Sequence, residues 1–338
     1  MRCARYPQAE IVLFGRRWSQ RFFTSRPGPI NRVVVVPRYP GVSASANASL
    51  SADENAEVEA FFAAMQAEHF DLALQLHGGG RHSNPFTLRL GARMTAGLRT
   101  PDAAPLDQWI AYDYYQPEIL RQLEVVSLLD APPVTIEPHV TLLASDITEA
   151  LHIVHQVGLP MVALHPGASD PRRRWPIEKF AAVGDALAEM IGAQVVICGD
   201  MGECELTQAV AQAMRRPALD LGGKLSLGGL AGLLARCRLL VANDSGPRHL
   251  AAAVGTRTVG IYWCGNMIMA GPPTHAKHRT VISWQTTCPE CGVNLMDERR
   301  LVCGHSGSIV ADIGVGDVLD AAAELLSEAG YVPIGASA

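Results

Sequence analysis

The sequence is poor in charged and aromatic side chains. Charged residues make up 18% and aromatic residues 6% of the chain, and the formal net charge is −5. The basic run Arg172–Arg174 is the longest present. A nucleic-acid-binding protein usually carries a broad basic face, so this class is excluded and no nucleic-acid partner is expected.

Long hydrophobic runs are also missing. A membrane-spanning helix needs about 20 consecutive apolar residues, and the longest comparable stretch, Leu230–Ala242, is interrupted by Arg236 and Arg238. The first residues, Met1–Pro7, lack the apolar core of a signal peptide. These absences predict a cytoplasmic protein without a transmembrane segment. Its eight cysteines are then expected to be reduced thiols or metal ligands rather than disulfides.

The chain is long and apolar enough for two domains. It has 338 residues, 48% of them hydrophobic, and single domains usually hold about 150 residues. Short β-rich runs alternate with helical patterns, and the alternation restarts near Met161. This pattern predicts an α/β protein with parallel sheets. We place the domains at residues 1–150 and 158–330.

The segment from Leu239 to Ala253 carries the strongest sign of chemistry. An apolar strand runs into the turn Asp244-Ser245-Gly246 and then into a helix that bears His249 in its first turn. The N–H groups and dipole at such a helix start favour a phosphate or diphosphate. The alternative is that Asp244 and Ser245 only cap the helix.

Two other loops follow predicted strands. His165–Ser169 leads into Arg172–Arg174, and these cations beside a helix start suit a second arm of a diphosphate site. Gly199–Glu203 follows the next strand and offers a carboxylate to a ribose or sugar hydroxyl. The alternatives are a solvated basic loop and an ordinary carboxylate at a helix N-terminus.

Four residues near the C-terminus form a C-x2-C…C-x-H set: Cys288, Cys291, Cys303 and His305. Four nitrogen and sulfur ligands would close a structural zinc site. Cys303 and His305 are unusually close in sequence, and the alternative is a group of reduced cysteines in a loop.

Other catalytic motifs fit poorly. His77–Gly80 is similar to the oxyanion-hole motif of esterases, but Gly304–Ser308 lacks the final glycine of a nucleophile elbow. A Gly-x-Gly-x-x-Gly fingerprint does not follow any predicted strand, which disfavours a dinucleotide-dependent oxidoreductase.

The segments His165–Phe180, Gly199–Glu203 and Leu225–Ala253 resemble the donor domain of glycosyltransferase family 9, the ADP-heptose:lipopolysaccharide heptosyltransferases. The pattern Asp-Ser-Gly-x-x-His-Leu-x-Ala-Ala is the most specific part of this resemblance. Asp71–Gly97 resembles the family's acceptor domain. The resemblance implies a GT-B fold, in which two facing Rossmann-like domains place the acceptor on the N-terminal side and the donor on the C-terminal side. It also implies inverting sugar transfer without a catalytic metal or other required cofactor.

The resemblance also implies roles for single residues. Ser169 and Arg173 would hold the diphosphate, Glu203 would lie near the ribose, and Leu230 would line the base pocket. Diphosphate and sugar would be surrounded by Asp244, Ser245, Gly246 and His249. The donor would be a nucleoside-diphosphate sugar, ADP-heptose first of all. The acceptor would be a glycan or glycolipid of the lipopolysaccharide type, reached at the cytoplasmic face of the inner membrane.

The chain departs from the family pattern at its start. Family members begin with a strand, a loop ending in Gly-Asp and a helix, and the Asp of that loop is the expected general base. Here Met1–Glu10 resembles the tail of that first helix. The sheet of the N-terminal domain is therefore expected to lack its central strand, and the base stays unassigned. The alternative function is a catalytically inactive relative that binds a nucleotide sugar.

Overall fold

Strands and helices alternate along the chain in the computed structural model, which describes residues 5–154, 158–296 and 303–331. The chain divides into two compact units, Met1–Ile136 and Glu137–Ala338. No helix within these described ranges is long and apolar enough to cross a lipid bilayer.

The first unit carries five strands and four helices in its described part. In chain order they are β1 (Val12–Gly15), α1 (Arg17–Phe23), β2 (Arg32–Val35), α2 (Ala52–Ala67), β3 (Leu72–Gln75), α3 (Ser83–Arg89), β4 (Met94–Arg99), β5 (Gln108–Ala111) and α4 (Glu118–Ser127).

These five strands form two parallel sheets rather than one. β1 pairs with β2, and β3, β4 and β5 pair in that order. Phe14 of β1 packs edge-on against Phe70, which precedes β3, at a ring separation of 5.8 Å. The two sheets therefore share one aromatic core, yet no described strand joins β1 to β3.

The second unit carries six strands and seven helices among its described residues. They are α5 (Ala144–Ile153), β6 (Met161–His165), α6 (Ile177–Ile191), β7 (Gln194–Ile197), α7 (Cys204–Ala213), β8 (Ala218–Asp220), α8 (Leu227–Arg236), β9 (Leu239–Asn243), α9 (Gly246–Ala253), β10 (Arg257–Trp263), α10 (Cys264–Ala270), β11 (His278–Ser283) and α11 (Val315–Glu328).

The strands of this unit form one parallel sheet in the order β11-β10-β9-β6-β7-β8. Every residue of β6 and β9 is buried, because helices cover both faces of the sheet. On one face α6 contributes Phe180, Val183 and Leu187 to the core, and α11 packs beside it. This arrangement explains why the central strands read as continuous apolar runs rather than alternating ones.

The border between the units falls earlier than the predicted residue 150. Helix α5 packs against α8, and the carboxylate of Glu149 accepts hydrogen bonds from the backbone N–H and the hydroxyl of Ser226, at 2.7 and 2.6 Å. These contacts make α5 part of the second unit. The acceptor and donor roles of the two domains stay predictions.

Candidate nucleotide-sugar site

The central pair of strands in the second unit marks the place where a ligand is expected. β6 and β9 are neighbours in the sheet, but the chain proceeds from β6 towards one edge and from β9 towards the other. In open parallel sheets this switch point leaves a crevice at the carboxyl ends of the two strands. The strands end at His165 and Asn243, so the loops that follow these residues border the crevice.

Asn243 connects the two loops. Its side chain is fully buried, and its Nδ2 donates to the carbonyl of Pro166 at 2.7 Å. Its Oδ1 accepts from the backbone N–H of Trp175 at 3.1 Å. One side chain on β9 thus fixes both ends of the loop that follows β6. Sequence reasoning did not single out this residue.

Asp244 is the centre of the polar network in the crevice. Its Oδ2 accepts hydrogen bonds from Arg173 Nη1 at 3.1 Å and from Asn266 Nδ2 at 3.0 Å. Its Oδ1 lies 3.5 Å from His249 Nε2. The Arg173 guanidinium also donates to Ser169 Oγ at 2.9 Å. The Asp244 carboxylate is only 6% exposed, so it needs such partners. In turn, Asp244 and Ser169 hold Arg173 at the ends of the strands.

The start of α9 faces the same crevice. The hydroxyl of Ser245 donates to the carbonyl of Asn243 at 3.1 Å and makes no capping bond to the helix. The alternative that Asp244 and Ser245 only cap the helix is therefore not what the structure shows. The first N–H groups of a helix have no intrahelical acceptor. A side-chain carbon added at Gly246 would meet no atom within 4 Å, so the backbone is open to a ligand.

The predicted donor-site residues all line one cavity of about 670 Å³ within the second unit. They are Ser169, Arg173, Glu203, Leu230, Asp244, Ser245, Gly246 and His249. The structure thus brings together residues that lie up to 80 positions apart in the sequence, counting from 169 to 249. Their individual roles stay predictions.

Glu203 follows β7 and also lines the cavity. Its Oε2 accepts from the backbone N–H of Asp200 at 3.0 Å, so it also stabilises its own 3-10 turn, Met201–Glu203. Its carboxylate packs so closely on Gly167 that a side-chain carbon there would clash with it. The adjoining wall is apolar and includes Leu225 and Leu230.

His165 is a buried part of the cavity lining that sequence reasoning did not assign to the site. Its Nδ1 lies 2.9 Å from the carbonyl oxygen of Cys198. Burial lowers the pKa of His165, and the neighbouring Glu203 carboxylate opposes that effect in part. The imidazole is therefore neutral at physiological pH, and it adds shape and polarity to the lining without adding charge.

Two further polar residues were missed. Asn266 lies on α10 and donates to Asp244. Arg248 is buried, and its Nη2 lies 2.6 Å from His249 Nδ1 and donates to the carbonyl of Ala270 at 3.1 Å. Arg248 therefore orients the His249 ring. The position of Arg248 between Gly246 and His249 in the sequence motif was the signal from which its place in the site could have been predicted.

Two carboxylates of the first unit, Asp53 and Asp71, do not belong to the predicted site. Asp53 is in the first turn of α2. Asp71 precedes β3 and pairs with Arg93 at 3.1 Å, with both side chains at least 80% exposed. Neither belongs to the cavity described above, and the general base stays unassigned.

The cysteine–histidine set forms a compact cluster in the second unit. The ligand atoms of Cys288, Cys291, Cys303 and His305 all lie within 4.8 Å of one another. The backbone N–H of Cys291 donates to the sulfur of Cys288 and is the main cause that lowers the pKa of this thiol to about 6. Among the described residues, none of these four lines the cavity.

Comparison with known proteins agrees with this fold and site. A solved structure of an ADP-heptose lipopolysaccharide heptosyltransferase II from Escherichia coli superposes with a TM-score of 0.70 at 21% identity, and covers 97% of this chain and 92% of that one. The α/β, GT-B-like fold class with parallel sheets is thereby confirmed.

Residues 58–298 match the model of glycosyltransferase family 9 (heptosyltransferase), and the chain belongs to this family. Among curated relatives, lipooligosaccharide heptosyltransferase 2 of Haemophilus influenzae is 34% identical over 109 residues, 30% of this chain and 31% of that protein. This match thus spans about a third of the relative's length. Lipopolysaccharide heptosyltransferase 2 of Salmonella typhimurium is 25% identical over 293 residues, 80% of this chain and 79% of that protein.

Proposed function

We propose that the cavity between the ends of β6 and β9 binds a nucleoside-diphosphate sugar, and that the chain transfers this sugar, a heptose, with inversion to a lipopolysaccharide-type acceptor. The observation that carries the proposal is that Arg173 and the start of α9 line the same cavity at the switch point of the sheet. Both groups favour an anion, and they lie in one cavity.

Transfer of the sugar leaves negative charge on the departing diphosphate. The Arg173 guanidinium and the N–H groups of Ser245 and Gly246 are suited to stabilise that charge, because they are held in place before the reaction. Asp244 contributes by holding Arg173 in place. His249 lies next to Asp244 at the cavity wall. The acceptor hydroxyl oxygen forms the new bond to the anomeric carbon and gives up its proton to the general base, which is not assigned. The bond from the anomeric carbon to the diphosphate oxygen breaks, and that oxygen takes up the electron pair.

The other end of the cavity suits the nucleoside. Glu203 offers a carboxylate to ribose hydroxyls, and Leu230 offers an apolar surface to a base. The name of the E. coli structure that superposes on this chain supports ADP-heptose as the donor. In this proposal no metal or other cofactor takes part in the chemistry, and the acceptor is a glycan or glycolipid met at the cytoplasmic face of the inner membrane.

Calorimetry with ADP, UDP and GDP tests the donor site. We expect ADP to bind, and Arg173→Ala to weaken binding by about 1.5–3 kcal/mol, the usual effect of losing a charged hydrogen bond. His249→Ala and Asp244→Ala should also weaken it. Arg215→Ala is the matched control, because Arg215 is 83% exposed and pairs with Asp185 outside the cavity. Absence of heat with all three nucleotides would contradict the proposal.

A second candidate is a nucleotide-sugar-binding protein without transferase activity. The observation that favours it is that no residue in the described ranges has been assigned as the general base. A base typically contributes 10²–10⁴-fold in rate, as an order of magnitude. Incubation with ADP-heptose and a lipopolysaccharide core acceptor separates the two candidates: ADP binding without product formation would establish the second.

A further inference from the structure

The four side chains of the cysteine–histidine cluster already stand at the spacing of a single ion. The sulfur of Cys288 lies 3.8 Å from His305 Nδ1, and all four ligand atoms lie within 4.8 Å of one another. Zinc–sulfur bonds of about 2.3 Å in a tetrahedron place the sulfur atoms about 3.8 Å apart. One tetrahedral ion therefore fits between them with little movement.

Backbone hydrogen bonds around Cys288 bring two of the four candidate ligands together. Gly292 N–H donates to the carbonyl of Cys288 at 2.9 Å, and Cys288 N–H donates to the carbonyl of Val293 at 2.8 Å. These bonds close a tight turn that directs Cys288 and Cys291 to the same point. Gly292 has a φ of 71°, which glycine adopts without strain.

A carboxylate lies near the histidine. The Nδ1 of His305 faces Cys288, and its Nε2 lies 4.0 Å from Glu290 Oε2, which is beyond hydrogen-bonding distance. The Oε1 of Glu290 accepts from the N–H of Gly307 at 3.0 Å. Glu290 is therefore a neighbour of the histidine but not a hydrogen-bond partner that orients it.

We propose that Cys288, Cys291, Cys303 and His305 bind one structural zinc ion, and that this ion fixes the segment supporting the Arg172–Arg174 turn. Binding exchanges the thiol protons for the metal: three thiols release three protons and the imidazole binds as the neutral form. The resulting Zn(Cys)3(His) centre has a net charge of −1. Four protein ligands fill the coordination sphere, which is typical of structural rather than catalytic zinc.

The link from the cluster to the cavity is a pair of short hydrogen bonds. Just after His305, the hydroxyl of Ser308 donates to the carbonyl of Arg174 at 2.7 Å, and Ile309 N–H donates to the carbonyl of Arg172 at 2.8 Å. Arg173 lies between these two acceptors. The segment from the cluster thus holds the backbone of the turn whose central side chain reaches Asp244. The role of this segment in positioning Arg173 for a ligand rests on the proposed function.

Metal analysis tests the zinc assignment. The full chain, purified without chelator or metal-affinity tag from cells supplied with zinc, should contain about one zinc per chain by mass spectrometry. Cys291→Ser should lose it, and because Cys291 is exposed the substitution leaves the core unchanged. Cys204→Ser, which alters a half-buried thiol outside the cluster, should keep it. Iron in place of zinc, or no metal in the wild type, would overturn the assignment.

A second measurement does not depend on the variant folding. Replacing the metal of the wild-type chain by cobalt should give the intense near-ultraviolet bands of thiolate-to-cobalt charge transfer and the visible bands of tetrahedral cobalt. An octahedral cobalt spectrum without thiolate bands would show that the cysteines are not ligands, and would overturn the proposal on the wild-type protein itself.

ADP binding then tests the positioning role. Removal of zinc by a chelator, or Cys291→Ser, should weaken ADP binding on the order of tenfold, because the turn that carries Arg173 loses its support. Added zinc should restore the stripped wild type but not the variant. Arg173→Ala should lose ADP affinity and keep its zinc. Unchanged ADP affinity after zinc loss would refute the positioning role. No ADP binding by the zinc-loaded wild type would refute the proposed function and the positioning role, while the zinc assignment would stand.

Discussion

Adjacent residues at the end of β9 have different tasks. Asn243 is directed to the backbone of the loop after β6, and Asp244 to the side chains of Arg173 and Asn266. Both are buried, and each has its hydrogen-bonding groups occupied by partners that belong to other elements. The site is therefore built by side chains that hydrogen bonds to other elements hold in place, which is the condition for effective charge stabilisation.

Gly246 gives a sharp test of ligand access at the start of α9. We expect Gly246→Ala to change the free energy of unfolding by less than about 0.5 kcal/mol, because the added carbon meets no atom within 4 Å. ADP affinity should nevertheless fall on the order of tenfold, since the methyl group occupies the space in front of the helix start. Thermal unfolding and calorimetry measure the two effects separately.

The matched control for this substitution is Gly316→Ala. Gly316 also lies in the first turn of a helix, α11, and an added carbon there also meets no atom within 4 Å. It lies outside the cavity, so ADP affinity should stay at the wild-type value. Wild-type ADP affinity in Gly246→Ala would show that the ligand does not approach this helix start.

His278 makes stability depend on pH. The pKa of His278 is lowered from 6.5 to about 4. Burial is the largest cause, and the nearby positive charge of Arg248 is the second. As pH falls through this window, the unfolded chain binds a proton that the folded chain rejects, so the free energy of unfolding decreases. The slope from one such group is up to about 1.4 kcal/mol per pH unit. The contribution of neutral His278 to the free energy of unfolding is fully present above pH 6.5.

Urea unfolding across this window measures the effect. His278→Gln, which retains a polar group for the Thr258 hydroxyl 2.9 Å away, should show a shallower loss of stability between pH 6.5 and about 4. Some slope should remain, because burial also lowers the pKa of His165. An identical pH dependence in wild type and variant would assign the effect to other groups.

Residue types at the strand ends were predictable from the sequence, but their directions were not. The turn Asp244-Ser245-Gly246 was recognised because polar residues interrupt an apolar segment. Asn243 belongs to the same interruption, yet its task depends on which side of the strand it faces and on what the neighbouring strand brings there. That neighbour, β6, lies about 80 positions earlier in the chain and supplies the loop that Asn243 binds.

At the scale of elements, the missed part of the site is α10. This helix follows β10 and brings Asn266 to Asp244. Its sequence, from Cys264 to Ala270, is short, contains Gly265 and is followed by Gly271, and it lacks the apolar repeat that indicates a longer helix. By contrast, α6 was predictable because Phe180, Val183 and Leu187 recur at helical spacing and all face the core.

The pairing of strands is also beyond what local patterns show. In the first unit, the division into a sheet of two strands and a sheet of three depends on which strand edges meet. In the second unit, every residue of β6 and β9 is buried, so these mostly apolar strands belong at the centre of a covered sheet. That is why the parallel sheet there followed more directly from the sequence.

At the scale of the whole molecule, the two units differ in how deeply their strands are buried. All residues of β6 and β9 are buried, whereas those of β1 and β2 are all only partly buried. Small sheets with exposed edges open more readily than a central strand pair. We therefore expect the amides of β6 and β9 to exchange with solvent deuterium more slowly than those of β1 and β2, by at least about a hundredfold.

Hydrogen–deuterium exchange read by mass spectrometry provides this comparison in a single sample. Rates should be divided by those of the same peptides in the unfolded chain, so that sequence effects on intrinsic exchange cancel. Adding ADP should slow exchange further around β9 and α9 and leave β1 and β2 unchanged. Equal protection of both strand pairs in the free protein would contradict the expected difference.

The buried amide of Asn243 has a consequence for the timing of ligand capture. Because it ties the loop after β6 to the end of β9, we expect a nucleotide that binds as proposed to meet loops that need no slow rearrangement. Its association rate should then be set by diffusion and by attraction to Arg173. Under the proposed function, nucleotides that differ in affinity should differ mainly in how long they remain bound, and the lifetime of the complex is then expected to distinguish one donor from another.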